Sequence, residues 1–75
     1  MLRDLYEMAA KIHRLSWMAR HEKDEARRFL GQAREAKSNE ERAMLEKVAS
    51  EHEELSQQYQ QAAERKREER MTLVF

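Results

Sequence analysis

A carboxylate at Glu22 and an imidazole at His52 interrupt two stripes of apolar side chains, and Glu25 stands one turn beyond the first of them. Oxygen and nitrogen donors of this kind suit divalent transition metals. Helical bundles build such sites by converging Glu and His from facing helices, and two copies of this chain would supply two of each. The local spacing tells against a metal, because those sites place a glutamate three residues before a histidine. None of His13, His21 and His52 has a glutamate there. His21 and Glu25 form an i, i+4 pair, but on the flank of the stripe. A core carboxylate and imidazole are costly unless they bond to each other or to water. The favoured reading of Glu22, Glu25 and His52 is a polar core layer that fixes register and oligomeric state. A metal-binding four-helix bundle using the same three residues is the alternative. No cofactor is expected.

Covalent and hydrolytic chemistry finds no motif. The chain lacks cysteine, holds a single glycine, and contains neither a phosphate-cradling loop nor an HExxH pair. Two helices also offer no evident pocket or oxyanion hole to its serines and histidines. An enzyme is not expected, so function should reside in surfaces.

Tyr6, Ala10, His13 and Trp17 recur at i, i+4, i+7 and i+11, an aromatic stripe rotated away from the Leu5 and Ile12 seam, with Met18 on its perimeter. One hairpin cannot cover both stripes, and an exposed tryptophan stripe seldom goes unused. Burial in a homo-oligomer is the first reading of Tyr6, His13, Trp17 and Met18, and docking of another protein is the second. The apolar C-terminus offers Leu73 and Phe75 for folding back over Leu2 and Leu5, or for a partner. Arg65, Lys66, Arg67 and Arg70 form a basic run, but Glu64, Glu68 and Glu69 interleave with it. A solvated helix end is therefore favoured over a nucleic-acid surface.

These residues need long helices to position them. Leu5, Ile12, Ala19, Ala26 and Ala33 repeat by seven, and Met8, Leu15, Glu22, Phe29 and Ala36 follow three positions later. This is a heptad pattern, widened toward bundle packing by Leu2, Ala9 and Leu30. It predicts a first helix over about 2–37, running through Gly31 on its outer face. Leu45, His52 and Tyr59, with Val48, Leu55 and Ala62, form a second pattern, flanked by Met44, Ala49, Ser56 and Ala63. That predicts a second helix over about 39–70, followed by an apolar tail at 71–75. The two stripes are out of phase, so one straight helix would turn its apolar face away from its partner. A reversal about 38–39 removes the conflict, and Ser38 followed by Glu41 fits a capping box. The reversal sets His52 opposite Glu25 and within one turn of Glu22. A continuous coiled coil with a phase slip is the alternative.

Composition agrees. Of 75 residues, 40% are charged and none is proline or cysteine, as in long helices and bundles that do without disulfides. One domain of this size buries little by itself and gains stability from partner subunits. Fifteen basic and fifteen acidic residues cancel, which leaves no field for nucleic acid or an anionic membrane. No membrane span or signal segment is read, and the cytoplasm is the default location. The expected fold is all-α, an antiparallel two-helix hairpin resembling a coiled coil, about 50 Å long at 1.5 Å per residue, dimerising into a four-helix bundle. The expected function is a non-catalytic protein–protein interaction module, a small adaptor, chaperone-like or regulatory protein acting as a homo-oligomer. A nucleic-acid-binding hairpin dimer is the least favoured reading.

Overall fold

Helix-forming residues run without a proline along the whole chain, so the capping signal at Ser38 is the natural place to divide it. A computed structural model of the protein describes residues 2–74 and contains two helices, α1 (Leu2–Glu35) and α2 (Asn39–Val74). They pack antiparallel as a hairpin with Cα extents of 56 × 14 × 11 Å. α1 continues through Gly31 without a break. No described helix is long and apolar enough to cross a membrane.

The reversal occupies residues 36–38. α1 stops two residues earlier than expected, because the Ala36 amide donates to the Ala33 carbonyl at 3.2 Å and tightens the last turn. Ser38 Oγ accepts the Glu41 amide at 3.1 Å, and the Ser38 carbonyl accepts the Arg42 amide at 3.1 Å. Ser38 is thus the N-cap of α2. Glu40 and Glu41 follow in the first turn, where negative charge is favoured by the helix dipole.

Burial is concentrated in small residues. Ile12, Ala19, Ala26 and Ala33 of α1 are buried, and so are Ala49, Ser56 and Ala63 of α2. For α1 this is one of the two expected heptad series. For α2 the expected core is corrected by one position: Leu45, His52 and Tyr59 stay in the interface, but Ala49, Ser56 and Ala63 replace Val48, Leu55 and Ala62 at its centre. The reason is steric. Alanine and serine facing a ladder of alanines let two backbones approach more closely than valine and leucine would, as small residues do at tight helix crossings. The larger side chains rotate to the edge, and Leu55 is left 37% exposed.

The expected apolar tail is also corrected. α2 runs on to Val74, since no glycine or proline stops it after Arg70. Thr72 Oγ1 donates to the Glu68 carbonyl at 3.0 Å within this extension. The basic run 65–70 consequently lies inside the helix, and the last turn of α2 carries no basic residue. Leu73 does not fold back, and Phe75 lies outside the described residues.

A compact folded monomer of 9.1 kDa exposes about 4,900 Å² by the usual scaling with mass. This chain exposes 6243 Å². The hairpin therefore leaves roughly 1,300 Å² more surface in water than a self-sufficient domain of its size.

Candidate functional site

The polar interruptions of the two stripes meet. His52 Nδ1 donates to Glu22 Oε2 across the helix interface, and both side chains are partly buried, 26% and 17% exposed. Phe29 lies one heptad after Glu22, hence on the same edge of α1. Its ring stacks on the His52 imidazole, with centroids 5.4 Å apart and planes inclined by 7°. The imidazole is thus fixed on one side by a carboxylate and on the other by an aromatic face.

Glu25 does not join this pair. It turns to Arg28, whose Nη2 donates to Glu25 Oε2 at 2.7 Å. The Arg28 guanidinium also sits over the Phe29 ring, 5.0 Å from its centroid, where the ring quadrupole attracts it. A chain of contacts therefore runs Glu25–Arg28–Phe29–His52–Glu22 across both helices. Phe29 belongs to the same heptad series as Glu22, and that seven-residue step is the signal for its place beside His52; Arg28 stands outside both stripes and carries no such signal. Chemically, one chain offers two donors at this point. Among the described residues no group of three His, Cys, Asp or Glu gathers that could hold a metal.

The aromatic stripe lies elsewhere. Tyr6, Ala10, His13 and Trp17 are all exposed, Tyr6 at 74% and Trp17 at 57%. Trp17 stacks on His21 of the following turn, with centroids 5.4 Å apart and planes inclined by 4°. Met18, counted with this stripe in the sequence, is half-buried and belongs to a different side of α1. Leu73 is exposed beside Asp4, Glu7, Met8, Lys11 and Lys66 near the open end of the hairpin.

The two lateral edges of the hairpin differ. On one, Arg67 Nη2 donates to Ser16 Oγ at 3.1 Å, and Arg20, Gln60 and Glu64 lie beside them. That edge is polar. The other edge carries Glu22, Phe29 and His52, and seven-residue steps from these add Met8 and Leu15 on α1 and Leu45 and Tyr59 on α2, all half-buried. Just outside them come Met18, Val48 and Ala62, also half-buried, and the exposed Leu55. Away from Glu22, His52 and Glu25 the middle of this edge is apolar and covered on one side only, while Asp4, Lys11 and Lys66 border Met8 at its open end.

Electrostatics elsewhere are local. Arg3–Glu7, Asp24–Arg27 and Lys66–Glu69 are exposed ion pairs within single helices, each worth little. Compared with known proteins, the chain matches no family model, no curated sequence and no solved structure.

Proposed function

We propose that this hairpin is a non-catalytic protein–protein interaction module that works as a homo-oligomer, a small adaptor, chaperone-like or regulatory protein. The observation that carries this reading is the surplus of exposed surface. Among the described residues, the buried apolar ones are one isoleucine and five alanines, a core too thin to offset the ordering of a chain this long. Half-buried leucine, methionine and aromatic side chains remain along one edge. Association supplies the missing burial. In a bundle of two hairpins, Tyr6, His13 and Trp17 on the back of α1 stay available to a different protein.

Sedimentation velocity on the purified chain tests the reading. The expected result is a dimer or small closed oligomer at micromolar concentration, with a melting temperature that rises with concentration. A monomer that unfolds cooperatively at a concentration-independent temperature would overturn it.

The contact between Glu22 and His52 favours one second reading, a metal-binding bundle in which two copies bring two such pairs together. Metal analysis of the purified oligomer checks this. Bound zinc or iron, or a higher melting temperature on adding either, would support the metal. Metal-free protein indifferent to both would remove it.

A further inference from the structure

Resting on the self-association just proposed, we infer which face carries it. A second copy of this chain covers the edge bearing Leu15, Phe29, Leu45, Leu55 and Tyr59, running antiparallel to the first. Three observations lead there. The first is area. The hairpin measures 56 × 14 Å in Cα extents, so a broad face of it spans about 800 Å², enough for one partner's share of a standard stable interface.

The second is charge. The turn half, residues 23–55, carries seven basic and nine acidic residues, and the open half carries eight basic and six acidic. The halves are therefore −2 and +2 (7 − 9 and 8 − 6). Antiparallel packing lays each half on its opposite, while parallel packing sets like on like, an arrangement that costs energy and misdirects docking.

The third is shape. The middle of α1 falls between residues 18 and 19 of Leu2–Glu35. A two-fold axis there sets Met8 of one copy level with Phe29 of the other. Flexible methionine against an aromatic ring is a favourable pairing that tolerates irregular gaps. On the opposite edge Ser16, Arg67, Gln60 and Glu64 fill the middle, and apolar residues stand only toward the ends, Leu2, Leu5, Tyr6 and Ala9 at one and Leu30 at the other.

Two measurements test the face and the orientation separately. Leu55→Lys and Met18→Lys each place a charge on the proposed interface while sparing the buried alanine ladder. Sedimentation equilibrium should show each weakening the dimer about a hundred-fold, the loss expected for one well-buried apolar side chain plus a desolvated charge. Trp17→Ala should change the affinity less than three-fold. A dimer indifferent to Leu55→Lys and Met18→Lys but broken by Trp17→Ala would overturn this face and leave self-association standing. A monomeric wild type would overturn both.

Orientation is read by energy transfer between separately labelled wild-type-like chains, donor on Lys37→Cys and acceptor on Arg3→Cys. Both sites are exposed, Arg3 at the start of α1 and Lys37 in the reversal just past its end. Strong transfer between Lys37→Cys and Arg3→Cys, with weak transfer between two Lys37→Cys chains, is the antiparallel result. The reverse pattern would overturn the antiparallel arrangement.

Discussion

Ser56 donates its hydroxyl hydrogen to the backbone carbonyl of Ala19 on the other helix, 2.8 Å away and 37 positions earlier in the chain. The serine is 1% exposed, and such a bond requires the two backbones to lie almost in contact. It reports directly on the small-residue seam formed by Ala19, Ala26 and Ala33 against Ala49, Ser56 and Ala63. Two substitutions separate the bond from the space. Ser56→Ala keeps the volume and loses a neutral hydrogen bond, a cost of about 1 kcal/mol. Ser56→Leu must push the helices apart, at about 3 kcal/mol or more. Urea titrations of the three proteins check this. Equal stability of the serine and leucine forms would show that the helices do not approach as described.

Gly31 lies inside α1 with helical backbone, and a Cβ added there meets nothing within 4 Å. Glycine in a helix interior costs about 1 kcal/mol relative to alanine, chiefly through the freedom it leaves to the unfolded chain. Gly31→Ala should therefore raise the melting temperature by about 4–8 °C, the usual response of a domain this small to that free energy. A lower melting temperature would mean that the position bends or binds in a way a methyl group obstructs.

The turn rests on one side chain. Ser38 Oγ satisfies the Glu41 amide, one of the amides the start of α2 leaves without a helical partner. Ser38→Ala should cost about 1 kcal/mol, and Ser38→Asp should be nearly neutral because aspartate caps as well. Thermal melts followed by circular dichroism give both values. If alanine and aspartate behaved alike, the cap would have no energetic role and the reversal would depend on helix packing alone.

Much of this architecture is legible from periodicity. The heptads of α1, the phase break at 37–41 and the serine cap together specify a hairpin. The centre of the α2 stripe is not legible in the same way. Leu45, Val48, Leu55 and Tyr59 outrank Ala49 and Ser56 in hydrophobicity, so a pattern weighted by apolarity selects the larger side chains. The helices select the smaller ones, because van der Waals contact along a close-packed seam depends on how near the backbones come. The end of α2 escapes for a related reason. Threonine, leucine and valine lean toward strands, yet a helix already propagating adds residues at little cost unless a breaker intervenes. In the polar layer, Glu22 and His52 are found by their places in the stripes. Glu25 pairs instead with Arg28, because an i, i+3 arginine on its own helix competes for it.

The Glu22–His52 pair makes the last prediction, because its energetic and specifying roles point in opposite directions. The pair is partly buried, so removing one partner leaves the other with an unmet hydrogen bond. His52→Leu should destabilise the protein by about 1–3 kcal/mol for that reason. Replacing both partners removes the unmet group and adds apolar contact. Glu22→Leu combined with His52→Leu should then match or exceed the wild type in melting temperature. Stability would come with a loss of choice, since an all-apolar stripe no longer penalises other registers or larger assemblies. Sedimentation of the double variant should show several species where the wild type shows one. A double variant that is both more stable and a single species of wild-type size would rule out the register role, leaving the pair to be explained by what it binds.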